Sequence, residues 1–174
     1  MALTHLVDTS VLTRLRTPTV RVAIESRAER GELARAGISD FEIGYSARSA
    51  LEWDRLAGAL GVFELVETTA DHMRRARHVQ RLLAAKHKRG RIVPNLLVAA
   101  AAEARDLAVL HYDADFDRIT AATGQPCEWV VPAGSVDLPA AEQRAERRVA
   151  TRHISPNSAR RHAVSVARPL CPEV

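Results

Sequence analysis

The chain has 174 residues, a length that suits one folded domain with room for an extension. Its hydrophobic fraction of 47% is ordinary for a globular protein, and no apolar run approaches the roughly 20 residues that span a bilayer. The first ten residues lack the basic stretch and apolar core of a signal peptide. We therefore expect a cytoplasmic protein that does not associate with membranes, with Cys127 and Cys171 as free thiols.

The net charge of +4 is confined to the end of the chain. Residues 141–174 hold seven arginines and three acidic residues, so the preceding residues are balanced in charge. The high isoelectric point is thus weak evidence for a nucleic-acid-binding surface on the folded part. We predict a folded domain over residues 1–135 and a basic tail over 136–174 that is disordered or derived from vector sequence.

The first 39 residues are predicted to form a strand, two helices and an extended segment. A buried strand from Leu3 to Val7 ends at Asp8, where the chain turns into a helix. Pro18 begins a helix that continues to about Arg30, and residues 33–39 form a short extended crossing.

Two further helices follow. Ser39 or Asp40 is expected to cap the helix that carries Glu42. The next helix begins at Ser49 and ends at Gly61, and its predicted buried positions are Leu51, Leu56 and Leu60.

The rest of the chain again alternates strands with helices. A strand over 62–68 precedes a long helical pattern over 69–88, whose apolar stripe includes Met73, Ala76, Val79, Leu82 and Leu83. Pro94 begins an alanine-rich helix, and the strand 108–112 is followed by a helix that stops at Gly124 and a strand over 127–131. This order predicts an α/β fold with a central parallel β-sheet flanked by α-helices.

Acidic residues follow several of these apolar runs. They are Asp8, Glu42, and the group Asp113, Asp115 and Asp117. Because ligands of open α/β sheets gather at the carboxyl ends of the strands, Asp8 and Asp113 are expected to meet at one edge. Carboxylate oxygens suit Mg²⁺ or Mn²⁺, which can activate water against a phosphodiester.

Taken singly, each acidic motif has a simpler interpretation. Asp8 could be a helix cap, Glu42 a partner of a helix dipole, and the aspartates of DADFD a solvated first turn. A calcium loop is excluded because Arg118 and Gly124 stand where that loop needs Gly and Glu. LVDTS is similar to the nucleophile motif of haloacid-dehalogenase phosphatases, but Ser10 replaces their second Asp, which disfavours a phosphatase.

In their order and spacing, four segments resemble a known family. LVDTSVL, SDFEIGYSA, VPNLLVAAAAEARDLAVLHYDADFDRI and CEWVV are similar to a PIN-domain protein of the VapC toxin type, over about Leu3 to Pro132. The resemblance implies a PIN-like fold, a Mg²⁺- or Mn²⁺-dependent endoribonuclease activity, an RNA substrate, inhibition by a cognate antitoxin, and a homodimer.

The resemblance also implies roles for particular residues. Thr9 or Ser10 would contribute a hydroxyl to the water shell of the metal, and Asp117 is left as a surface residue with a structural role. The implied catalytic residues are Asp8, Glu42, Asn95 and Asp113, and the implied metal ligands are Asp8, Asn95, Asp113 and Asp115.

Asn95 departs from the family pattern, which has Asp after the Pro of the alanine-rich helix. An amide keeps one acceptor oxygen but lacks the charge, so metal affinity and cleavage rate should both be lower. Three explanations are open: divergence into an inactive PIN module that binds RNA or a protein, a natural variant that still cleaves RNA, or a deliberate Asp→Asn change that lets a toxic ribonuclease be produced. The last is favoured slightly because the rest of the constellation is intact.

Two surfaces are candidates for partner binding. The basic side of the helix over 69–91 could guide an RNA backbone, although a solvated helix face is the commoner explanation. An antitoxin helix, with an arginine directed at the acidic site, is expected on the apolar region of Phe41, Ile43, Tyr45 and Leu56.

Overall fold

The computed structural model describes residues 2–86 and 93–136. Within them the chain forms one five-stranded parallel sheet in the order β3-β2-β1-β4-β5, with seven helices in the connections. The predicted α/β fold with a central parallel sheet is therefore confirmed. The elements in chain order are β1 (His5–Val7), α1 (Thr9–Leu12), α2 (Pro18–Glu29), β2 (Leu33–Ala36), α3 (Gly37–Gly44), α4 (Ala50–Leu60), β3 (Glu64–Val66), α5 (Ala70–Ala85), α6 (Val93–Glu103), β4 (Ala108–His111), α7 (Asp115–Thr123) and β5 (Cys127–Trp129).

The register of the sheet brings the ends of β1 and β4 together. Val7 is paired with Leu110 on one side and with Arg35 of β2 on the other. The next residue, Asp8, continues the ladder by donating its backbone N–H to the carbonyl of Leu110, at 2.9 Å. Because these strands are parallel, the residues that follow them lie at the same carboxyl edge.

A hydrophobic core covers each face of the sheet. Successive residues of β1 point to opposite faces, so Leu6 packs with α5, α6 and α7 while Val7 packs with α1, α2 and α4. The four alanines from 99 to 102 are all buried, which lets α6 lie close to the sheet. This buried helix holds Asn95, in its first turn, at the carboxyl edge.

Most of the predicted helix ends agree with the structure. Pro18 is the first residue of α2, and the Ser49 side chain caps α4 by accepting the N–H of Glu52. Thr69 caps α5, and Gly124 ends α7 in the left-handed conformation at φ 79°, which glycine adopts without steric cost.

The start of α3 was predicted wrongly. The helix begins at Gly37 with Ala36 as its N-cap residue and no side-chain cap, because Ser39 is buried within the helix and Asp40 pairs with Arg35 at 2.7 Å. The segment predicted as an extended crossing begins with a full strand of the sheet, since residues 33–36 form β2 between β1 and β3.

Two predicted core positions are exposed. Leu51, in the first turn of α4, is 60% exposed, and Met73 of α5 is 44% exposed. On α5 the buried stripe runs through His72, Ala76 and Val79, and Met73 lies one residue off that stripe. A histidine that also serves in the helix cap thus occupies the position that the sequence pattern assigned to methionine.

Some predictions fall outside the described residues: the basic tail over 136–174, apart from its first residue, and the end of the predicted 69–91 helix from residue 87 onward. The domain boundary near residue 135 accordingly stays a prediction. Among the helices of the described chain, none is both long enough and apolar enough to cross a membrane.

Candidate active site at the carboxyl edge of the sheet

Asp8 is a buried carboxylate at the junction of β1 and α1. It is 3% exposed and caps α1, with its carboxylate accepting the N–H of Ser10 at 2.8 Å. Burial raises the pKa of Asp8 and the negative charge of Asp113 adds to this, while the hydrogen bonds from Ser10 oppose it. The cap interpretation of Asp8 is therefore confirmed, and the capping carboxylate also lies close enough to Asp113 to feel its charge, while its role in a site stays a prediction.

Glu42 approaches the same place from α3. Its carboxylate accepts the hydroxyl of Thr9, the residue after Asp8, at 2.7 Å. Burial raises the pKa of Glu42, and the charges of Asp8 and Asp113 raise it further. The fold thus gathers Asp8, Glu42 and Asp113 into one region, where the negative charge of Asp113 disfavours ionisation of Asp8 and Glu42.

Asp113 lies between β4 and α7 and uses both of its carboxylate oxygens. Oδ1 accepts the N–H of Asp115 at 2.9 Å, and Oδ2 accepts the side-chain amide of Asn95 at 3.1 Å. Asn95 is thereby placed in the acidic region, and its N–H group is directed at the carboxylate.

The other two aspartates of DADFD have different surroundings. Asp115 is in the first turn of α7 and pairs with Arg118 at 2.6 Å, while burial raises its pKa. Asp117 is exposed and accepts the indole N–H of Trp129 at 3.1 Å, which fits its predicted structural role. Asp115 is therefore the predicted ligand whose charge is already compensated within the protein.

Comparisons with known proteins identify the family. The PIN domain family profile matches residues 5–122, and Ribonuclease VapC51 of Mycobacterium tuberculosis is 60% identical over 137 residues, or 79% of this chain and 100% of that protein. The chain belongs to the PIN-domain family of VapC ribonucleases. Ribonuclease VapC21 of the same species is 43% identical over 138 residues, covering 78% of this chain and 99% of the relative.

Solved structures agree in fold with this VapC chain. DNA-bound VapBC from Salmonella typhimurium superposes with a TM-score of 0.61 at 18% identity, over 74% of this chain and 99% of that one. VapBC-5 from Mycobacterium tuberculosis gives a TM-score of 0.51 at 21% identity, over 73% and 95%. At these identities the likeness shows the PIN-like fold alone.

The hydroxyl groups next to Asp8 have protein partners in this VapC chain. Thr9 donates to Glu42, and the Ser10 Oγ accepts the backbone N–H of Tyr112 at 2.9 Å. Ser10 therefore ties the end of β1 to the segment that leads into Asp113, a connection across 102 residues that sequence spacing alone does not reveal. Their predicted place in the water shell of a metal stays a prediction.

Sequence reasoning also missed His111, the last residue of β4. It is fully buried, and its ring lies 4.9 Å, centroid to centroid, from the rings of both Phe116 and Trp129. Burial lowers the pKa of His111, because it disfavours the charged form of the ring. Its Nδ1 accepts the backbone N–H of Asp113 at 3.3 Å. The only sequence signal was a histidine in an apolar strand, which is usually a core residue.

The predicted basic face of α5 is partly neutralised. Arg74 pairs with Asp71, and Arg75 pairs with Glu103 of α6 at 2.6 Å. Its role as an RNA guide stays a prediction.

The acidic region of this VapC chain suits a hard cation. Across residues 2–86 and 93–136, neither Asp8, Glu42 nor Asp113 forms a salt bridge, so these buried or half-buried charges have no basic partner. In the same part of the chain no three His, Cys, Asp or Glu side chains converge closely enough to hold a metal by themselves. Mg²⁺ is commonly held by one or two carboxylates with water filling the other positions, and the oxygen-only donors here fit that requirement.

Proposed function

We propose that this chain is the toxin of a toxin–antitoxin pair, an endoribonuclease that cleaves RNA phosphodiesters with a divalent cation, and that Asn95 weakens its activity. The observation that carries the proposal is the group of Asp8, Glu42 and Asp113, whose charges lie together at the carboxyl edge and have no basic partner among residues 2–86 and 93–136. Keeping unpaired carboxylates in a buried region destabilises a protein, so their presence favours a role in binding positive charge.

Asp8 and Asp113 are the residues that would hold Mg²⁺ or Mn²⁺, and the Asn95 carbonyl oxygen would be a third donor. A bound cation would supply neutralisation of the scissile phosphate and a lower pKa for the attacking water. Glu42, whose pKa is raised and whose second oxygen is not held by Thr9, is suited to accept a proton from that water. Asp115 would have to leave Arg118 before it could act as a ligand.

Asn95 weakens this site for two reasons. It lacks the negative charge that would attract the cation, and its amide occupies an oxygen of Asp113. Asp113 must therefore lose its hydrogen bond from Asn95 before that oxygen can bind a cation. The proposal does not depend on whether Asn95 is natural or introduced.

The direct test is RNA cleavage by the full chain and by Asn95→Asp. We expect Asn95→Asp to cleave RNA in Mg²⁺ or Mn²⁺ at least about 100-fold faster, since even an outer partner of a metal ligand is worth about 10- to 100-fold. EDTA should abolish the gain, and the double variant Asn95→Asp/Asp8→Asn should be inactive. A folded Asn95→Asp protein that stays inert on several RNAs with either metal would overturn the proposal.

A binding protein without activity is the alternative function, and one contact favours it. The hydrogen bond from Asn95 to Asp113 satisfies both side chains without any ligand, as expected of a site that has lost its metal. The two functions are separated by gel-shift and cleavage assays on the same RNA at saturating Mn²⁺. The alternative requires RNA binding without cleavage in both this chain and Asn95→Asp.

The antitoxin partner is supported by an apolar surface beside the site. Phe41 and Tyr45 of α3 are 77% and 69% exposed, and Glu42 lies between them in sequence. A solved structure of similar fold is described as a toxin–antitoxin complex from Klebsiella pneumoniae.

We expect Phe41→Ser with Tyr45→Ser to weaken antitoxin binding at least about 10-fold, since exposed aromatic anchors dominate interfaces. Unchanged affinity in a titration would remove α3 from the interface; the homodimer stays a prediction.

A further inference from the structure

Two successive turns hold Asp113 in place. The N–H of Asp113 is accepted by the ring Nδ1 of His111 at 3.3 Å, two residues earlier in the chain. The carboxylate Oδ1 of Asp113 accepts the N–H of Asp115 at 2.9 Å, again two residues apart. Contacts of this kind, usually made by Asn or Asp, form turns that compete with regular structure. Here they direct the chain out of β4 and into α7.

The His111 ring is itself fixed. It has no exposed surface, and the rings of Phe116 and Trp129 lie against it. Because Nδ1 accepts an N–H, a neutral ring carries its proton on Nε2. Within the described residues, that buried Nε2 has no hydrogen-bond partner.

An unpartnered buried N–H is destabilising, and a phenylalanine or leucine would fill this apolar position without one. Packing alone therefore does not account for a histidine at this place. The group that histidine supplies and phenylalanine or leucine lacks is the acceptor at Nδ1. That acceptor is used on Asp113, a carboxylate that the proposed function assigns to the metal.

We propose that His111 is a positioning residue for Asp113: its ring Nδ1 accepts the Asp113 N–H and so sets the direction of the Asp113 carboxylate relative to Asp8 and Asn95. This inference rests on the proposed function for the use of the Asp113 carboxylate. The geometry of the turn itself does not depend on that function.

Two substitutions separate positioning from packing. His111→Asn keeps an acceptor that can take the N–H two residues on, while His111→Phe keeps an aromatic ring in the cluster but removes the acceptor. Both are made in the full chain and in the Asn95→Asp background. Readouts are the Mn²⁺ dissociation constant from calorimetry, kcat and KM for RNA cleavage, the thermal midpoint, and amide hydrogen exchange at Asp113.

We expect His111→Phe to weaken Mn²⁺ binding and lower kcat by about 10-fold or more, as for other supports of metal ligands, with KM little changed. Its thermal midpoint should equal or exceed that of the parent because the unpaired Nε2 is gone. Exchange at the Asp113 amide should be faster in His111→Phe than in the parent. His111→Asn should restore the Mn²⁺ affinity, kcat and the amide exchange rate toward the values of the parent.

Equal Mn²⁺ binding and cleavage by His111→Phe and the parent would overturn the proposal, as would a folded His111→Asn variant that is no better than His111→Phe. Nitrogen chemical shifts of His111 in the unmodified chain provide a test that needs no variant, and a proton on Nδ1 would also overturn it. Failure of the proposed function would look different, because Asn95→Asp with His111 intact would then bind no metal while the turn readouts remained as predicted.

Discussion

Carboxylates that flank the strands at the two edges of the sheet differ in their ion pairing. At the amino edge, Glu32 precedes β2 and is held by two hydrogen bonds from Arg30 at 2.6 and 2.9 Å, and Glu64 begins β3 and pairs with Arg105. At the carboxyl edge, Asp8 and Asp113 follow β1 and β4 without an arginine or lysine partner in the described residues.

The pKa values follow this difference. The hydrogen bond from Arg30 lowers the pKa of Glu32, whereas burial and neighbouring charge raise the pKa of Asp8. Glu32 and Glu64 at the amino edge are compensated by arginines, whereas Asp8 and Asp113 at the carboxyl edge have no basic partner in the described residues. Within one sheet, the pairing of a carboxylate thus distinguishes a structural charge from one that is available to a ligand.

The largest effect is expected at the unpaired edge. Asp8→Asn keeps an oxygen that can cap α1 but removes the buried charge, so the metal-free protein should be stabilised at neutral pH. We expect the thermal midpoint to rise by about 3 °C, which corresponds to about 1 kcal/mol for a domain of this size. Scanning calorimetry measures it, with Asp8→Ala, which also loses the cap, as the control. A lower midpoint for Asp8→Asn at pH 7 would contradict this account of the edge.

The same variant should change the pH dependence of stability. Burial raises the folded-state pKa of Asp8 above its ordinary value of about 3.8, so between these two pH values the folded protein binds more protons than the unfolded chain. Metal-free stability should therefore fall as pH rises from 3.8 through the raised pKa. Asp8→Asn should flatten this decline in urea unfolding curves, and an unchanged slope would show that Asp8 titrates normally.

The smallest effect is expected at the paired edge. Arg30→Gln breaks an exposed ion pair, and we expect the thermal midpoint at pH 7 to move by no more than about 1 °C because such pairs contribute little. Since the pKa of Glu32 is lowered, any contribution is present at neutral pH and is lost as pH falls through the folded-state pKa. A shift comparable to that of Asp8→Asn would remove the contrast between the edges.

Much of the fold was predictable because its signals are local. The start of α2 and the end of α7 were visible in Pro18 and Gly124, and the parallel sheet followed from alternating strands and helices. The start of α3 was missed because the side chain of Asp40 forms an ion pair with Arg35 and does not cap the helix. That ion pair depends on how β2 and α3 pack together, which the sequence does not show. Met73 was misplaced because apolar periodicity does not reveal that the buried His72 serves in a cap.

The site was predictable as a set of residues but not as a set of contacts. Strand-end positions were enough to expect Asp8 and Asp113 at one edge, and the register confirms that placement. The bond from Asn95 to Asp113 joins positions far apart in sequence and depends on side-chain conformation. His111 was missed because its role lies in the ring orientation, which residue type and spacing do not determine.

Asp8 and Asp113, which have no basic partner in the described residues, are proposed to form a metal site that Asn95 weakens. Calorimetric titration of Mn²⁺ into the full chain and into Asn95→Asp tests it most directly, with Asn95→Asp/Asp8→Asn as the control. The account predicts that Asn95→Asp binds one Mn²⁺ at least about 10-fold more tightly than the parent, and that the control loses this site. Equal affinities for parent and Asn95→Asp, or binding that survives Asp8→Asn, would contradict it.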